Sequence, residues 1–178
     1  MKTSLKISLG GAIAAVSLVL MLLTTVIPFG TFAFPAFAGM LLTVIVIEIG
    51  YGFAVSVFAA TALLSFLIVS DKEAALMYTA FFGFYPILKS LIERIPNKVV
   101  QYIVKLAVFN ACMIAVFFIA VNLLSIPEES YYLFGLQLPV IFLLFGNVFF
   151  VLYDYCITKL VTIYLLKWRQ KLNKNTKL

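Results

Sequence analysis

The chain has 178 residues, 65% of them hydrophobic and 11% charged, with a mean hydropathy of +1.16 and a net charge of +6. A soluble domain averages about 45–50% apolar and about 25% charged residues, so this composition excludes a water-soluble globular domain. Apolar stretches of about 20 residues recur along the chain, which excludes a secretory leader joined to a soluble domain and predicts an integral membrane protein.

Six spans are predicted in chain order. The first runs from Ile7 to Ile27, lacks a small-x-small cleavage site and reads as a retained helix. Pro28–Phe34 forms a short connection to a second span, Pro35–Ile49. Gly50-Tyr51-Gly52 is a tight turn or a break before the third, Tyr51–Val69. A five-helix count, with one long broken helix there, is the alternative. Ser70–Glu73 leads to the fourth span, Ala74–Ile95, interrupted at Pro86. Pro96-Asn97 turns into the fifth, Lys98–Leu124. A longer loop, Ser125–Gln137, precedes the sixth, Leu138–Leu166, and a basic tail comes after it. The expected fold is an all-α six-helix membrane bundle forming one domain over the whole chain.

Charge sets the expected orientation. With the N-terminus inside, the inner segments hold Lys2, Lys6, Arg94, Lys98 and the tail bases Lys167, Arg169, Lys171, Lys174 and Lys177. The outer segments hold Lys72 alone, beside Asp71, Glu73, Glu128 and Glu129. This bias predicts both termini on the cytoplasmic side of the cell membrane. The basic tail then reads as a membrane flank, not as a nucleic-acid contact. Cys112 and Cys156 both fall within apolar spans and read as buried thiols without a disulfide.

Four charged residues sit inside the spans: Glu48, Lys89, Lys105 and Asp154. Counted at about 1.5 Å per residue from the outer end, all four fall about 20–24 Å deep, in the cytoplasmic half. An isolated charge there costs about 2.5–3.5 kcal/mol on insertion scales. Two readings compete. In one, Glu48 and Asp154 pair with Lys89 and Lys105 and fix helix register. In the other, the four form a substrate or proton-relay site. Lys89 also has Glu93 four residues on, a local helical partner.

A neutral polar layer lies nearer the outside. Asn110, Asn147 and Tyr85 fall at about 12–16 Å by the same count. They are either interhelical hydrogen-bond partners or, with Tyr78 and Phe82, the lining of an outward-open ligand pocket. Pro86 frees the carbonyl of Phe82, a break of the kind that lines binding sites in transporters or simply kinks a packed helix.

In the first span, Gly10 with Ala14 and Gly11 with Ala15 place small residues four apart, a spacing that lets helices approach closely in lipid. Histidine is absent, and the chain contains no phosphate-binding GxxxxGK[ST] and no Gly-x-Ser-x-Gly motif. No enzymatic activity, metal site or cofactor is therefore expected.

This layout resembles the substrate-binding S components of energy-coupling factor (ECF) transporters. Those are bacterial proteins of about this size, with six helices and cytoplasmic termini. The resemblance implies that Gly10, Gly11, Ala14 and Ala15 dock a membrane coupling subunit. It also implies that Pro28–Pro35 caps a small, vitamin-like nutrient bound from outside, that Tyr78, Tyr85, Asn110 and Asn147 contact this ligand, and that partner ATPases supply the energy. Two other classes fit the same spans: a cell-envelope assembly scaffold of the MreD type, and an ion-coupled small transporter using Glu48 and Asp154.

Overall fold

The structure, a computed structural model, describes residues 3–27, 30–123, 132–133 and 136–168, with side chains described except at 120–142 and 167–168. Most of the Ser125–Gln137 loop and of the basic tail lies outside the described residues, as do Pro28 and Phe29 of the first connection.

The apolar sequence folds into helices because a chain in lipid must satisfy its backbone hydrogen bonds internally. In chain order these are α1 (Thr3–Leu22, extended by a 3-10 turn at Leu23–Thr25), α2 (Ala33–Glu48), α3 (Tyr51–Ile68), α4 (Lys72–Met77), α5 (Tyr85–Ile92), α6 (Lys98–Leu123) and α7 (Leu138–Ile163). A π-helical segment, Tyr78–Phe82, joins α4 towards α5, and another, Tyr164–Trp168, continues α7. A two-residue antiparallel ladder pairs Tyr132 with Gln137 and Leu133 with Leu136 between α6 and α7.

Five segments are long and apolar enough to cross a membrane: Thr3–Thr25, Tyr51–Ile68, Lys72–Ile92, Lys98–Ile119 and Leu143–Leu166. The apolar helix α2 has 16 residues, about 24 Å of rise against a hydrocarbon core of about 30 Å. It packs against α1, α3, α5 and α7, and leaves Phe37 as its most exposed large side chain. The chain is thus an all-α, multi-pass membrane protein.

Gly50 decides the boundary between α2 and α3. Its φ of 107° is a conformation that side-chain-bearing residues rarely adopt, and it breaks the helix within one residue. The turn folds α3 back on α2, so that Leu42 and Ile45 share an apolar cluster with Ala54 and Val57. Two separate helices result, not one long broken one.

The burial pattern is inverted relative to a soluble protein. Leu67, Leu63, Val148 and Phe149 are each more than two-thirds exposed, while Lys89 and Lys105 are 3% exposed. Lipid accepts the apolar exterior, and the interior must then satisfy the charges.

The fourth span is broken as its proline predicts, and the break is closed from inside. Pro86 lacks an N–H, so the Phe82 carbonyl loses its helical donor. The Tyr153 hydroxyl donates to that carbonyl at 3.4 Å. Gly39 of α2 presses against the same atom: a Cβ there would stand 2.1 Å from the Phe82 oxygen. Just before the break the Gly83 amide donates to the Tyr78 carbonyl at 2.7 Å, the wider i to i−5 spacing of a π turn.

A carboxylate, an ammonium and an amide side chain close three of the helix ends. Asp71 caps α4 through the Ala74 amide at 3.0 Å, and its other oxygen accepts from Thr31. Lys72 donates to the Phe66 and Val69 carbonyls at the end of α3. Asn97 caps α6 through the Val99 amide at 2.9 Å.

Candidate functional site

The polar centre of the molecule is an ion cluster where α5, α6 and α7 meet. Asp154 Oδ1 accepts from Lys89 Nζ at 2.5 Å, from the Tyr85 hydroxyl at 2.6 Å and from Lys105 Nζ at 3.0 Å; its Oδ2 accepts from Lys105 at 3.1 Å. Glu93 Oε1 accepts from both ammonium groups, at 2.5 Å from Lys89 and 2.8 Å from Lys105. Two cations thus share two carboxylates, and the cluster is neutral.

Each member is placed by helical spacing. Tyr85, Lys89 and Glu93 recur every four residues, so α5 and the residue that caps its C-terminal end present all three along one face. Lys105 lies on α6 and Asp154 on α7, which run antiparallel. The two carboxylates differ in surroundings: the Asp154 side chain is 7% exposed and that of Glu93 is 40% exposed. The cluster therefore has one dry end and one wet end.

Of the four spanning charges singled out from the sequence, the structure brings Lys89, Lys105 and Asp154 together. Glu48 is half-buried at the C-terminal end of α2, and the ion pairs of the two lysines run to Glu93 and Asp154. Glu93 is visible in the sequence only as a local partner of Lys89; its reach to Lys105 depends on the Pro96-Asn97 turn folding α6 back against α5. Tyr85 is legible as a membrane-depth aromatic, but not as a donor to a carboxylate 69 residues away.

An aromatic core covers the dry end. Phe81 stacks on Tyr85 with ring centroids 4.9 Å apart, and Phe109 on Phe150 at 4.8 Å. Tyr153 and Ile157 complete this buried cluster. Its apolar wall lowers the polarity on that side of the Asp154 carboxylate and strengthens the pairing there.

Asn110 and Asn147 form a closed pair across α6 and α7. Each amide nitrogen donates to the other's oxygen, at 2.9 and 3.0 Å, and also to the carbonyl four residues back, Leu106 and Leu143, at 2.8 and 2.7 Å. All four amide hydrogens are thereby used. Tyr78 lies elsewhere, fully buried with Met21, Ala38, Ala62 and Val69, its ring 5.9 Å from that of Phe58. Seven residues separate Tyr78 from Tyr85, which would share a face of a regular helix. The π segment between them turns them into different clusters. The four residues expected around one ligand thus occupy three environments.

The small residues of α1 divide between two faces. Gly10 is buried, and a Cβ on it would stand 2.7 Å from the Phe53 ring of α3, so this glycine seats α1 on α3. Ala14 is half-buried in the cluster of Leu42 and Val57. Gly11 and Ala15 are exposed, and a Cβ on Gly11 would meet nothing within 4 Å.

Cys112 is half-buried and Cys156 exposed, both as free thiols. Among the described residues no group of three or more Cys, Asp or Glu side chains is placed to hold a metal ion. Comparison with protein-family models, with curated proteins and with solved structures returns no match for this chain.

Proposed function

We propose that the chain is a membrane-embedded substrate-binding subunit for uptake of a small, vitamin-like nutrient, energised by a membrane coupling subunit and partner ATPases. It sits in the cell membrane with both termini on the cytoplasmic side, an orientation supported by the basic residues at the Arg94–Lys98 turn and in the tail. One observation carries the docking part of this reading. Gly11 and Ala15 form an outward small-residue face on α1 that no other part of the described chain covers. Close helix approach in lipid requires such a face, and the inner pair, Gly10 and Ala14, already serves packing within the chain.

The test is co-purification of the full chain with its coupling subunit from native membranes. Gly11→Leu and Ala15→Leu point away from the fold, so they should abolish the complex and leave the thermal transition of the isolated protein unchanged. Assembly that survives both substitutions removes the docking face.

A second reading, a membrane scaffold of the envelope-assembly type, is favoured by the mutual pairing of Asn110 and Asn147. A ligand acceptor reaches the amide hydrogens of Asn110 or Asn147 only by displacing one of the bonds they already make. Thermal-shift measurements across a panel of water-soluble vitamins and precursors separate the two. A saturable stabilisation supports the nutrient-binding subunit, and a flat response across the panel supports the scaffold.

A further inference from the structure

A groove of about 380 Å³ opens on the outer surface of α6 and α7, lined by Tyr102, Val148, Val151, Leu152, Tyr155 and Thr158, with Asp154 at its floor. It is graded along its length. Val148, Val151 and Leu152 make an apolar half, and Tyr102, Tyr155 and Thr158 a hydroxyl-bearing half. Val148 to Thr158 spans about 15 Å of helix. Lys159 comes next at the polar end, with its ammonium 5.3 Å from the centre of the Tyr155 ring.

Lys159 lies just beyond the groove lining, on the helix face of Tyr155, and is the cation at its polar end. Asp154 is matched within the ion cluster by Lys89 and Lys105. Lys159 makes no ion pair among the described residues, and neither does Lys98, which opens α6 at the same end of the bundle. An apolar trough that ends in hydroxyls and an unmatched cation complements an amphiphile with an acidic head.

We propose that this groove binds one phospholipid with an anionic headgroup, an acyl chain lying along Val148 and Leu152 and the phosphate held at Lys159 beside Tyr155. Basic pockets between membrane helices recognise acidic headgroups by this combination of fixed cation and apolar trough. The proposal does not depend on the nutrient-uptake reading.

The test is native mass spectrometry of the full chain in mild detergent, titrated with phosphatidylglycerol or with phosphatidylcholine of the same acyl chains. One phosphatidylglycerol should be retained about fivefold more strongly than phosphatidylcholine, the preference that one lysine near a membrane surface supplies. Lys159→Gln should bring the two lipids to the same level. Val148→Trp should fill the trough and lower retention of both, and Leu152→Trp, on the same exposed wall, repeats that test should the first variant fold poorly. Equal retention of the two lipids by the natural chain overturns the proposal. So does a preference that survives Lys159→Gln, or undiminished retention in a folded tryptophan variant.

Discussion

Lys105 holds Asp154 through both carboxylate oxygens, at 3.0 and 3.1 Å, from one membrane helix to the next. Both side chains are buried, so the contact fixes the register of α6 on α7 at the level where the surrounding surface is apolar. Breaking such a pair by removing one partner leaves an uncompensated charge, at a cost of about 3–5 kcal/mol in proteins generally.

Asp154→Asn should therefore lower the thermal transition in detergent more than any other single change in the cluster. The two lysines would then share Glu93 alone. Adding Lys105→Met restores neutrality with the Lys89–Glu93 pair and should recover part of the loss. A double variant no more stable than the single would show that charge balance is not what the cluster supplies.

Glu93→Gln should cost less than Asp154→Asn, because Glu93 is 40% exposed and water solvates what the carboxylate leaves behind. Chemical denaturation of the two variants side by side gives the comparison. Equal losses would mean that the wet end of the cluster is as dry as the other in the bilayer.

Tyr85→Phe keeps the stack on Phe81 and deletes one donor to Asp154. A loss of about 1.5–3 kcal/mol is expected for a hydrogen bond to a charged group. Unchanged stability would assign Tyr85 to packing alone.

The asparagine pair is suited to a double-mutant cycle. Asn110→Leu or Asn147→Leu alone strands one amide, whereas the double change leaves two apolar residues facing each other. The expected coupling is about 1 kcal/mol, within the range measured between membrane helices. Zero coupling would show that each amide is satisfied well enough by the carbonyl four residues back.

Gly39→Ala tests the closed break in the fourth span. The added methyl meets backbone atoms of Phe82, which cannot swing aside as a side-chain end can. A destabilisation of about 1–3 kcal/mol is expected from overpacking. Gly11→Ala, into open space on α1, should change stability by less than about 0.5 kcal/mol. A tolerant Gly39 would mean that α2 and the π segment slide apart readily.

Much of this architecture was legible in the sequence because lipid imposes simple constraints. Hydropathy marked the helices to within a few residues, Gly50 marked the reversal after α2, and Pro86 marked the break. The charges could be counted to one depth, since rise per residue is fixed. What depth does not carry is azimuth. By that count Glu48 falls at the level of Lys105 and Asp154, but which carboxylates meet the lysines depends on how each helix is rotated, and rotation comes from packing. The same limit applies to α1, where Gly10 and Gly11 are neighbours in sequence, about 100° apart, and only the first meets α3. The π segment has no compositional mark at all: Tyr-Thr-Ala-Phe-Phe reads as ordinary helix.

That segment also bears on how this chain tolerates changes of length. A π turn is an α-helix carrying one residue too many. Removing one residue between Tyr78 and Phe82 would tighten the turn to ordinary α geometry and leave the halves before and after it facing as they do. The same deletion a turn later, at the start of α5, would rotate the rest of that helix by about 100° and carry Lys89 and Glu93 together away from Asp154 and Lys105. The fourth span thus has one place where a single-codon deletion is absorbed, bordered by positions where it would dismantle the ion cluster.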